Sequence, residues 1–112
     1  MPTARSDVLR ELTEVLKARR DADPDTSYVA ALYDRGLNKI LEKVGEEATE
    51  VVLAAKDATP GTPDDALIGE VADLWFHTLV MLVHLEQEPD RVLETLAGRL
   101  GVSGHAEKAS RG

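Results

Sequence analysis

The chain has 112 residues, 43% hydrophobic and 30% charged, with no cysteine and a formal charge of −8. That length suits a single domain, 1–112, with one core, and the lack of cysteine excludes disulfides and thiolate metal sites. The acidic balance, with a pI of 4.8, argues against nucleic acid as a partner, because phosphate backbones are bound by basic surfaces. A small phosphorylated ligand stays open, since a bound divalent cation reverses the local field.

The first twenty residues, "MPTARSDVLRELTEVLKARR", hold no apolar stretch of the secretory kind. The longest apolar run, "LWFHTLVMLVHL" (74–85), falls short of the roughly 20 residues that span a bilayer and is interrupted by His77 and His84. A soluble, cytoplasmic protein with no membrane partner is expected.

The hydrophobic periodicity is helical nearly throughout, with no sustained two-residue alternation. Val8, Leu9, Leu12, Val15 and Leu16 make one apolar stripe, with Ser6 placed to cap it and Asp7 suited to its first turn. "RRDADPDTS" (19–27) reads as a polar loop, and a short helix is expected after Ser27, closing at Gly36. The next helix is expected from Leu37 to Asp57. "TPGTPDD" (59–65) breaks the pattern, and a long helix follows from about Asp65 to Glu86. Pro89 stands near the first position of a last helix carrying Val92, Leu93, Leu96 and Leu100. From Gly101 onward no core pattern remains, and the tail is expected to be mobile until something binds.

The expected fold is therefore all-α, a bundle of four to five helices. The 65–86 helix is apolar on most of its circumference. Leu74, Trp75, Phe76, Leu79, Val80, Leu82, Val83 and Leu85 cannot all face the core of one small subunit, so homodimerisation is expected to complete the bundle.

Two helices carry the chemistry. At about 100° per residue, Glu46 and Glu50 share the polar face of the 37–57 helix with Lys39 and Lys43, while Glu47 lies at the edge of the Val44–Ala48–Val51–Ala55 stripe. Taken alone, this is a solvated face with a Lys43–Glu47 pair at i, i+4 spacing. On the following helix, Glu70, Asp73, His77 and His84 form one narrow polar stripe, and no lysine or arginine occurs between residues 57 and 90 to pair with the carboxylates. Desolvating an unpaired charge costs several kcal/mol, so their compensation must come from elsewhere.

A Pro/Gly turn between the helices makes them antiparallel neighbours, which sets Glu47-x-x-Glu50 opposite Glu70-x-x-Asp73. Four converging carboxylates form an oxygen-only site suited to Mg2+ or Mn2+ rather than zinc. A di-iron bundle ranks low, because none of the three histidines follows a glutamate at the i+3 spacing. His77 and His84 are expected as hydrogen-bonded core or interface residues, Trp75 and Phe76 as packing, and Tyr28 as packing or a contact to a base.

"SYVAALYDRG", "KVGEEATEVVLAAK", "EVADLWFHTLVML" and "SGHAEKASR" together resemble the phosphoribosyl-ATP pyrophosphohydrolases of histidine biosynthesis, from about Ser27 to Arg111. The Glu-x-x-Glu…Glu-x-x-Asp pattern is shared with the wider MazG-like all-α NTP pyrophosphatases; "SYVAALYDRG" and "EKASR" select the narrower family. The resemblance implies a Mg2+-dependent homodimeric enzyme (Mn2+ a possible substitute) that hydrolyses the α–β phosphoanhydride of phosphoribosyl-ATP to phosphoribosyl-AMP and pyrophosphate. It implies Glu47, Glu50, Glu70 and Asp73 as metal ligands. Glu46 would be a further carboxylate, either a ligand or the group acting on the attacking water. Lys39 and Lys43 would reach phosphate oxygens. Lys108 and Arg111 would close over the phosphates, unless they simply solvate a loose end. The rival readings are a MazG-like pyrophosphatase of another nucleoside triphosphate and a non-enzymatic helical dimerisation module with a cation-binding acidic groove.

Overall fold

The computed structural model describes residues 7–101. Among these residues the fold is all-helical and without strands: α1 (Val8–Ala18), a 3-10 turn (Arg19–Asp21), α2 (Tyr28–Arg35), α3 (Leu37–Lys56), α4 (Asp65–His84) and α5 (Asp90–Leu100). Ser6, expected as a cap, lies outside the described residues, and Asp7 takes the N-cap position of α1.

Local chemistry explains the boundaries. The Ser27 hydroxyl accepts from the Ala30 amide at 3.1 Å and starts α2. Gly36, at φ 94°, turns the chain directly into α3. Asp64 accepts from the Leu67 amide at 2.9 Å and starts α4. That helix stops two residues short of the expected Glu86. Its end is closed by the Gln87 amide donating to the Leu82 carbonyl and the Glu86 amide to that of Val83, which forces Glu86 to a φ of 58°.

Leu16, Val29, Leu32, Ile40, Leu79, Val80 and Val83 form the core, with Leu9, Leu12, Tyr33, Phe76 and Met81 packed against it. Each fully buried aliphatic side chain contributes about 2 kcal/mol. These residues come from α1, α2, α3 and the C-terminal half of α4, so the core gathers at one end of the α3–α4 pair. Arg20 donates to the Val83 carbonyl there, Tyr33 donates to the Leu16 carbonyl at 2.9 Å, and Lys17 pairs with Glu88 at 2.9 Å.

The long helices α3 and α4 share the most extensive helix–helix contact in the fold. By length and composition α4 would suffice to cross a membrane, but it buries Leu79, Val80 and Val83 in the core. The expectation that α4 has more apolar faces than one subunit can cover agrees with Trp75, which is 69% exposed. In α5 no residue is buried, and Val92, Leu93, Leu96 and Leu100 all remain exposed.

Candidate metal centre and active site

The adjacent glutamates of α3 are compensated in two different ways. Lys43 bridges the first pair, with Nζ at 3.2 Å from Glu46 and 3.5 Å from Glu47 Oε1. Its pKa is raised, first by the hydrogen bond to Glu46 and against an opposing desolvation, so the ammonium holds its proton more firmly. Lys39 is drawn to Glu42 instead, at 3.5 Å.

The second oxygen of Glu47 has no such partner. The residue is 7% exposed, and Oε2 is buried with no hydrogen bond; Glu70 Oε2 on α4 is in the same condition. Carboxylate oxygens of Glu47, Glu70 and Asp73 lie within 4.8 Å of one another. Three acidic groups converge, two of them with a buried oxygen that no other described residue satisfies. Leaving a charged acceptor so exposed to a low dielectric is costly, and a cation between the helices removes the cost. The donor set is oxygen only, which fits a hard divalent ion.

Glu50, one turn beyond Glu47, is exposed, outside the trio, and has no ion pair or hydrogen bond among the described residues. Glu46 is exposed and held by Lys43. Lys108 and Arg111 lie outside the described residues.

His77, one turn after Asp73, is buried and hydrogen-bonded at both ring nitrogens, as expected of a core histidine. Nδ1 lies 2.7 Å from the Asp73 carbonyl oxygen, and Nε2 lies 2.8 Å from the Tyr28 hydroxyl. Tyr28 crosses the His77 ring edge-on with centroids 5.8 Å apart. Desolvation by burial raises its pKa, opposed by Lys43 and reinforced by Glu47, Glu46 and Asp73, so the hydroxyl sits in the field of the acidic site. Sequence reasoning missed this pairing; the only signal was the i, i+4 spacing of Asp73 and His77. His84 is remote from these contacts and stacks on Tyr33, with centroids 5.8 Å apart and planes inclined by 12°.

The family model for phosphoribosyl-ATP pyrophosphohydrolase matches residues 9–99. The chain belongs to the phosphoribosyl-ATP pyrophosphohydrolase family. It is thus a hydrolase acting on a phosphoanhydride in histidine biosynthesis, with a nucleotide as substrate. The match spans all five helices, from α1 to the end of α5, and so takes in both acidic helices that form the trio. A pyrophosphohydrolase needs charge stabilisation where phosphate oxygens gather, and the α3–α4 groove is where this chain has unsatisfied carboxylates.

Proposed function

We propose that the protein hydrolyses the α–β phosphoanhydride of phosphoribosyl-ATP, giving phosphoribosyl-AMP and pyrophosphate, in a Mg2+-dependent reaction that Mn2+ also supports. The observation that carries this reading is the pair of buried, unpartnered oxygens of Glu47 and Glu70 beside Asp73. Glu47, Glu70 and Asp73 hold the cation, and the exposed Glu50 side chain turns in as the fourth carboxylate. When bound, the cation supplies positive charge at the bridging and non-bridging phosphate oxygens and draws a polyanion to an acidic protein.

The chain's own groups do the rest. Lys43, kept protonated by Glu46, directs its ammonium at a non-bridging phosphate oxygen, and Lys39 does the same one turn earlier on the same face of α3. Glu46 orients the attacking water and takes its proton as the oxygen–phosphorus bond forms and pyrophosphate leaves. Its ion pair with Lys43, at 3.2 Å, holds that carboxylate in place. Lys108 and Arg111 supply further positive charge to bind the substrate's phosphates.

We also propose that the working form is a cytoplasmic homodimer. Val52, Leu53, Ile68 and Trp75 stand exposed on the outer faces of α3 and α4, and the radius of gyration of 16.5 Å exceeds the roughly 13 Å of a compact chain of this length. A second copy covers that apolar surface.

The test of substrate class is pyrophosphate release from phosphoribosyl-ATP set against a panel of deoxynucleoside triphosphates. Turnover of phosphoribosyl-ATP at least a hundredfold above any panel member is expected. Preference for a deoxynucleotide overturns the reading and favours a MazG-like activity. Release from neither substrate class leaves a cation-binding helical module.

A further inference from the structure

We propose that Tyr28 is a positioning residue that accepts a hydrogen bond from a water in the coordination shell of the cation held by Glu47, Glu70 and Asp73. The inference rests on the reading of that trio as a divalent-cation site and adds to it a fixed direction for one hydrogen bond.

The direction follows from the order of donors and acceptors. The Asp73 carbonyl oxygen can only accept, so the His77 Nδ1 at 2.7 Å carries the proton. In the neutral ring Nε2 is then an acceptor, and the Tyr28 hydroxyl at 2.8 Å donates to it. The tyrosine has spent its single proton. What its oxygen has left is a lone pair, and the hydroxyl belongs to a side chain that is 54% exposed. The hydroxyl is 2.8 Å from a ring that is itself 2.7 Å from the Asp73 carbonyl oxygen, which sets it beside the acidic groove.

A group that can only accept is repelled by carboxylates and satisfied by a donor. Water bound to a cation is a strong donor, because the metal polarises its O–H bonds. The relay thus runs from the Asp73 backbone through His77 and Tyr28 to the same cation that the Asp73 side chain binds. One residue of α4 is fixed from both ends, and α2, which carries Tyr28, is tied to the register of the site. Such outer-shell groups commonly change metal affinity by about ten- to a hundredfold.

The test is calorimetric titration of the full chain with Mn2+ alone, beside thermal unfolding of the metal-free protein. Tyr28→Phe keeps the ring and removes the oxygen. It is expected to weaken Mn2+ binding about tenfold while the metal-free melting temperature shifts by only a few degrees. His77→Gln retains an acceptor for the tyrosine and is expected to bind Mn2+ within about threefold of wild type, whereas His77→Leu releases the tyrosine proton and behaves as Tyr28→Phe. Unchanged Mn2+ affinity in Tyr28→Phe overturns the inference even if the leucine variant does not fold. Absence of Mn2+ binding by the wild-type chain instead overturns the cation site on which the inference rests.

Discussion

Glu47 on α3 and Glu70 on α4 bring carboxylate oxygens within 4.8 Å of each other, and each keeps one buried oxygen without a hydrogen-bond partner among the described residues. Only one of the two, Glu47, has a lysine beside it. Two like charges at that separation repel by about 3 kcal/mol at an effective dielectric near 20, before the discount for Lys43 and for solvent at the groove mouth.

Glu70→Gln removes one of the two charges and keeps the shape. The metal-free variant is expected to be more stable than wild type by about 1 kcal/mol, a rise of several degrees in melting temperature for a domain of this size. Mg2+ at a hundredfold excess over its Kd adds about 2.7 kcal/mol to the wild type and close to nothing to the variant. Differential scanning calorimetry with and without Mg2+ reads both effects.

Glu50, proposed as the fourth ligand, lies outside the Glu47–Glu70–Asp73 trio. It is exposed and has no ion pair among the described residues, one turn from Glu47, so Glu50→Gln should leave metal-free stability within about 0.5 kcal/mol of wild type. Turnover is nonetheless expected to fall by about a hundredfold, since the fourth carboxylate arrives only with the cation. Full turnover in this variant removes Glu50 from the ligand set; steady-state kinetics at saturating Mg2+ decide it.

How much of this was legible in the sequence depends on whether the cause is local. The ends of α2 and α3 and the start of α4 followed from Ser27, Gly36 and the 59–65 break because capping and turn chemistry act within a few residues. The convergence of Glu47 with Glu70 and Asp73 followed from helical period plus one short connection. Tyr28 and His77 lie 49 positions apart, and nothing in either residue's neighbourhood announces the other. Of the two partners of Lys43, Glu47 was legible from its i, i+4 spacing, whereas the i, i+3 pair with Glu46 was not singled out. The early stop of α4 was hidden because Glu86 occupies a backbone position where glycine is the usual signal.

That last point yields a stability prediction away from the site. A non-glycine residue at a φ of 58° bears a steric penalty of about 1–2 kcal/mol, part of which glycine gives back as unfolded-state entropy. Glu86→Gly is expected to stabilise the protein by about 0.5–1 kcal/mol with activity unchanged, as measured by urea denaturation.

Trp75 tests the assembly. An isolated subunit with this side chain 69% exposed would tolerate a charge there at little cost. In a homodimer Trp75→Glu places a charge in an apolar interface. Sedimentation velocity is expected to give dimer mass for wild type and monomer mass for the variant, with a melting temperature lower by at least 5 °C. Monomer mass for wild type at micromolar concentration contradicts the dimer.

The most direct measurement is pyrophosphate release from phosphoribosyl-ATP by wild type and by Asp73→Asn, each with Mg2+ and with EDTA. Rapid release by wild type with Mg2+, and near-background release in the other three conditions, is the expected pattern. Undiminished release in EDTA, or by Asp73→Asn with Mg2+, would contradict a catalytic cation held between α3 and α4.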